Sequence, residues 1–147
     1  MKTWVHLLVS SVLAALLYPL FGWNVLLILA GGVLIDVDHY FWYVSKYKKF
    51  NLFYCYSYFM ARMNQKGFKE HKGILLIFHT IEFLLIIVLL SFYFEAAFIF
   101  LVGLLSHYLL DAIFLYTVAK RLITNHSIIN WIIKNKPYTR SRKIQKV

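Results

Sequence analysis

Apolar positions in this chain gather into four long runs, at approximately residues 4–21, 25–44, 73–93 and 96–118. Each is close to the ~20 residues that a helix needs to cross a hydrocarbon layer of ~30 Å. Only Gly22, Trp23 and Asn24 part the first two runs, and only Phe94 and Glu95 part the last two, so each pair predicts a tight helical hairpin. Between the pairs lies a 28-residue loop, 45–72. Its beginning, like the end of the run before it, interleaves Trp, Tyr and Phe with Lys46, Lys48 and Lys49, as expected of a segment lying in the headgroup layer. Residues 122–133 are apolar but too short to span, and predict a second interfacial segment. The expected fold is an all-α integral membrane protein with four transmembrane helices in two hairpins over residues 1–121, followed by a basic interfacial tail, 122–147.

Composition agrees. With 61% hydrophobic and 15% charged residues and a mean hydropathy of +0.66, there is too little polar side chain to cover a water-soluble globule. A soluble enzyme and a disordered tail are both excluded. Cys55, the single cysteine, fixes no redox compartment. The Lys2 start followed by an apolar run superficially matches a signal peptide, but the run continues to Phe21 without a small-x-small cleavage site, and more spans follow.

Charge changes the picture further. The chain has 16 Lys and Arg against 6 Asp and Glu. Lys2 precedes the first run; Lys46, Lys48, Lys49, Arg62, Lys66, Lys69 and Lys72 sit at the middle loop; the others follow Val118; neither short turn has any. All the cations fall on one side if both termini and the loop share it, and the positive-inside rule makes that side the cytoplasm. This predicts a multi-pass protein of the cell (inner) membrane, N-in and C-in. The net charge of +10 is then a record of topology and of contact with anionic headgroups of the lipid bilayer, and a nucleic-acid partner is not needed to explain it.

The acids are more specific. Asp36, Asp38, Glu82 and Asp111 lie inside apolar runs, where four carboxylates cost roughly 10 kcal/mol unless paired, protonated or bound to metal. Histidines lie beside them. His79/Glu82, His107/Asp111 and Asp36/His39 are three or four residues apart, on one helix face. Asp38 falls about 200° around an ideal helix from Asp36, so it faces a different neighbour or the helix is distorted there. At 1.5 Å per residue, Asp36, His79 and Asp111 all lie roughly 10 to 12 Å from the cytoplasmic ends of their runs, and His71 hangs over the mouth of the third. Carboxylates and imidazoles converging from separate helices are the donors of a metal site. Taken singly, each of these residues has a plainer role as a hydrogen-bonded bridge between helices. His6 and His126 read as interfacial polar residues, and Gly31, Gly32, Gly103 and Ser106 as small residues that permit close helix packing.

Three short stretches carry a resemblance: Ile35-Asp36-Val37-Asp38-His39, His71-Lys72-Gly73, and Gly103 through His107 to Asp111. They are similar to the Pro-Asp-x-Asp-His, His-Arg-Gly-x-Thr-His-Ser and Gly-x-x-x-His-x-x-x-Asp signatures of the YdjM-type inner-membrane proteins, described as LexA-binding and as predicted membrane-bound metal-dependent hydrolases. Ile35 stands in the proline's place and Leu76 in that of the second histidine, with His79 one turn on. The resemblance implies a metal-dependent hydrolase. The first ligands would be Asp36, His39, His79, His107 and Asp111, with Asp38 and His71 as ligands or outer partners, around a divalent ion, Zn²⁺ foremost. Glu82 is the expected general base, and Lys46, Lys69 and Lys72 would attract an anionic lipid or phosphoester substrate. Two other classes stay open: a metal or proton transporter, since intramembrane carboxylates and histidines also build relays, and a non-catalytic scaffold or regulator-binding protein.

Overall fold

A computed structural model describes residues 2–63, 75–117 and 127–134. Among the described residues the regular elements are all helical, with no strand. Seven helices follow one another: α1 (Thr3–Phe21), α2 (Leu26–Gly32), α3 (Val37–Tyr47), α4 (Leu52–Met63), α5 (Ile81–Ser91), α6 (Glu95–Thr117) and α7 (Ile128–Lys134). Short 3₁₀ turns at Gly22–Val25, Leu34–Asp36 and Ile77–His79 interrupt them.

The first and last predicted runs match α1 and α6 closely. Two helical stretches, residues 3–47 and 95–117, are long and apolar enough to cross a membrane. The first is folded back on itself. A straight helix would hold Ser10 and Gly32 ~33 Å apart, yet a Cβ at Gly32 would run into the Ser10 hydroxyl. The reversal falls at Gly22, whose φ of +54° is open to glycine without strain.

The middle of the chain departs from the sequence expectation. Residues 25–44 are not one helix: α2 ends at Gly32, and Val33 (φ −129°, ψ −49°) leaves helical geometry before the 3₁₀ turn that leads into α3. The predicted helix 73–93 is helical only from Ile81. Leu76 is extended, Ile77–His79 form a 3₁₀ turn, and Thr80 is the extended N-cap of α5, accepting the Phe83 N–H on its hydroxyl at 3.3 Å. The expected interfacial loop contains α4, capped by Asn51, whose Oδ1 accepts the Phe53 and Tyr54 N–H groups at 2.9 and 3.2 Å. His71, Lys66, Lys69, Lys72, Gly73, His126 and most of the basic tail lie outside the described residues.

Burial is inverted relative to a water-soluble domain. Of the seven largest fully buried side chains only Ile28, Ile99 and Leu104 are apolar; the others are His6, His107, Thr80 and Ser10. Leu16, Leu20, Leu89, Phe92 and Leu109 all face outward. The bundle holds together by close backbone approach instead. A Cβ at Gly31 would meet the Phe100 carbonyl, and one at Gly103 the Ile28 carbonyl. Val25 and Ile28 pack with Ile99, and Asp36 further along the chain reaches His107, so α2 and α6 run parallel in near-contact, with α1 antiparallel across Gly32 and α5 folded back against α6.

Candidate metal centre

Ser10 packs directly on Gly32, and the Gly103 backbone lies against the same glycine. Four residues from each stand His6, Asp36 and His107: His6 and His107 share a helix face with Ser10 and Gly103, and Asp36 is carried to them by the 3₁₀ turn that follows Gly32. Pinning the three small residues therefore brings the three donors into one layer. Asp111 lies a further turn along α6, its Oδ2 3.4 Å from His107 Nε2.

The helix break after Gly32 supplies the next element. The Asp36 N–H bonds the Val33 carbonyl at 3.3 Å instead of continuing the α-helical pattern, and the Gly32 carbonyl instead accepts from His107 Nδ1 at 2.9 Å. A carbonyl only accepts, so Nδ1 carries the proton and Nε2 presents its lone pair to the cluster. His79 is held in a matching way. Its Nδ1 lies 3.0 Å from Asp38 Oδ2, which also accepts the Phe78 N–H at 3.1 Å, leaving Nε2 turned inward. The Tyr108 hydroxyl fixes the turn that carries it by donating to the Phe78 carbonyl at 2.6 Å. The distortion at Leu34–Asp36 settles the question of Asp38: both Asp36 and Asp38 reach His79, one at each ring nitrogen.

Asp36 Oδ1, His79 Nε2 and His107 Nε2 form a triangle with sides of 3.2, 3.5 and 3.6 Å. Donors bound tetrahedrally at about 2.1 Å from one ion are about 3.4 Å apart, so the triangle has the dimensions of a tetrahedron's face. Two imidazole lone pairs 3.2 Å apart repel unless a proton or cation lies between them, and an oriented hydrogen bond on each outer nitrogen is the usual support of a ligating histidine. Three overlapping groups could hold a metal ion: Asp36/His79/His107, Asp38/His39/His79 and His6/His107/Asp111. Among the described residues neither ring nitrogen of the buried His6 has a hydrogen-bond partner, while His39 Nδ1 and Asp38 Oδ1 face each other at 3.0 Å as an ion pair. An unsatisfied buried imidazole among carboxylates and further imidazoles fits a cation.

The structure thus gathers Asp36, Asp38, His39, His79, His107 and Asp111, six of the seven expected ligands or outer partners; the seventh, His71, lies outside the described residues. It adds His6, which the sequence reading placed at the interface. His6 is fully buried, stacked on His107 with centroids 3.9 Å apart and rings within 18° of parallel, and its Nε2 is 3.3 Å from Asp111 Oδ1. The signal was present: His6 stands four residues from Ser10, as Asp36 does from Gly32 and His107 from Gly103. Asp36, Asp111 and His39 keep 23, 25 and 27% of their side-chain surface exposed, so the cluster is open to solvent on their side.

Glu82 is a correction. It was expected on the face of His79 as a general base, but Thr80 ends the extended segment between them and starts a new helix, so the two do not share a helix face. The Glu82 carboxylate accepts from the Ser127 hydroxyl at 2.6 Å and from the Ile128 and Ile129 N–H groups at 3.1 and 3.4 Å, while Ser127 Oγ accepts the Asn130 N–H at 3.2 Å. Its negative charge is compensated by the free N–H groups at the start of α7, which it ties to α5. Lys46, expected near the mouth, lies over the Trp42 ring at 4.9 Å.

No protein-family model matches the chain, and neither do any curated protein or solved structure.

Proposed function

We propose that this protein is a membrane-embedded metal-dependent hydrolase whose centre opens toward the cytoplasm. The observation that carries the reading is the triangle of Asp36, His79 and His107, with the outer nitrogen of each imidazole already bonded to Gly32 or Asp38. Three protein donors and an open position are the pattern of a catalytic rather than a structural site.

In this reading the bundle crosses the bilayer as two hairpins, N-in and C-in, consistent with the one-sided distribution of Lys and Arg. α5 is about 16 Å long and covers only half the layer. The interruptions before it and after α2 are tolerable at that depth because they are buried in protein and line the site. The outward Leu, Ile and Phe side chains face lipid.

A divalent ion, best Zn²⁺, would lower the pKa of a bound water and polarise an ester or phosphoester. Asp36, His79 and His107 would hold it, and Asp38 and Gly32 would orient the two imidazoles. His39, the most exposed imidazole of the cluster, takes the proton in place of Glu82. The aromatic and basic surface of α3 and α4 suits a lipid or phosphoester substrate arriving from the headgroup layer. The resemblance to YdjM-type hydrolases agrees with this assignment. A conduit needs polar groups through the whole thickness, and the buried cluster Ala14, Val25, Ile28 and Ile99 between the site and the Gly22 turn is wholly apolar. That favours a one-sided site over a transporter.

Elemental analysis of the purified full chain in detergent, paired with hydrolysis of chromogenic esters and phosphoesters, tests the reading. At least one equivalent of metal in wild type is expected, with metal and hydrolysis lost together in a His107→Ala, Asp111→Ala double variant. His39→Ala keeps the metal and loses most of the rate. A wild-type chain without metal, or a double variant that retains it, overturns the proposal.

A further inference from the structure

We propose that the centre takes two divalent cations, the second held by His6 and Asp111 and joined to the first through the Asp111 carboxylate. The inference rests on the metal-binding reading above and adds a second position to it.

His6 is the starting point. It is completely buried, and among the described residues neither ring nitrogen makes a hydrogen bond, although it sits beside a carboxylate. An imidazole that merely bridged helices would donate to that carboxylate. His6 Nε2 instead approaches Asp111 Oδ1 at 3.3 Å without hydrogen-bond geometry, the separation of two donors around one ion rather than of a donor and its acceptor.

Asp111 divides its oxygens. Oδ1 faces His6 Nε2 at 3.3 Å, and Oδ2 faces His107 Nε2 at 3.4 Å. A carboxylate chelating a single ion turns both oxygens to one point, whereas here each oxygen addresses a different imidazole, which is the disposition of a bridge between neighbouring ions. The stacking of the two rings sets the spacing. Imidazole lone pairs lie in the ring plane, so rings 3.9 Å apart and nearly parallel, both directed at one carboxylate, place ions on their Nε2 atoms at a similar separation. Two-metal sites hold their ions about 3.5 to 4 Å apart. His107 Nε2 then belongs to the first ion with Asp36 and His79, His6 Nε2 to the second, and Asp111 supplies one oxygen to each.

The experiment uses the purified full chain, stripped with a chelator, reloaded with Mn²⁺ and dialysed, with metal counted per chain and the electron paramagnetic resonance spectrum recorded. Two equivalents and an exchange-coupled pair spectrum are expected in wild type. His6→Phe keeps a ring against His107 but removes the donor, and His6→Ala removes both. Each is expected to retain one equivalent with the six-line spectrum of an isolated ion and unchanged helical circular dichroism. One equivalent in wild type, or two in both His6 variants, overturns the second position while leaving the first intact. No bound Mn²⁺ in wild type overturns the metal-binding reading and this inference together. The wild-type count and spectrum decide without recourse to any variant.

Discussion

The two ends of the bundle are built on opposite principles. Toward the Gly22 turn, α1, α2 and α6 are regular helices that bury Ala14, Val25, Ile28 and Ile99 with Leu13, Leu17 and Phe21 around them. At the other end the same layers of chain bury His6, Asp38, His79 and His107, and two of the predicted helices are broken. The breaks are what make the polar end possible. A continuous helix consumes its own carbonyls; the interruptions leave those of Gly32 and Phe78 to be taken by His107 and Tyr108, adjacent residues of the unbroken α6. One continuous helix thus organises two discontinuous ones. Ser10, Gly32 and Gly103 mark the boundary between the two ends, since each lies one turn from a donor.

The largest effect is expected from breaking that boundary. In Gly103→Val the new side chain meets the Ile28 backbone, which cannot move aside as a side chain would. The cost is on the order of 3 kcal/mol or more. Thermal unfolding in detergent should shift strongly downward and metal content should fall, because His107 lies on the turn being displaced. Ile28→Val, within the apolar end, is the control. It costs about 1 kcal/mol and leaves metal content unchanged. If the control lost metal equally, the two ends would not be separable.

A smaller effect distinguishes orientation from ligation. Asp38 Oδ2 faces the outer nitrogen of His79, so Asp38→Asn keeps the shape but weakens the acceptor. Metal affinity should fall by about 10- to 100-fold, the usual effect of losing an outer partner, with stoichiometry retained at high metal. Competition with a chromogenic chelator measures it. Affinity equal to wild type would remove Asp38 from the site's support.

How much of this was legible in the sequence follows the same division. The regular ends of α1 and α6 were readable because their apolar runs are unbroken, and the predicted limits differ from the structure by a residue or so. The break after Gly32 was not readable, because residues 25–44 contain no proline and hydropathy is blind to backbone geometry. The Asp36/Asp38 angle did register a conflict that only a distortion removes. The His79/Glu82 pair failed because three-residue spacing implies a shared face only within one helix, and Thr80, a preferred N-cap residue, stood between them as the overlooked stop. His6 reads as interfacial from its nearness to the chain start, and only its four-residue spacing from Ser10 points inward. All-helical architecture and six donors survive translation into structure. The backbone interruptions that let those donors meet come from packing between distant segments.

The smallest effect on the centre is expected at Glu82. Its carboxylate meets the first N–H groups of α7 and the Ser127 hydroxyl, and no contact joins it to the six donors among the described residues. Glu82→Gln removes the negative charge of that cap while keeping one acceptor oxygen, so metal content and affinity should be unchanged. The C-terminal segment should be cut sooner in limited proteolysis, because α7 loses a charge-assisted tether at its N-terminus. Ser127→Ala should do the same by removing the hydroxyl that donates at 2.6 Å and caps Asn130. Loss of metal in Glu82→Gln without any change in proteolysis would return Glu82 to the centre.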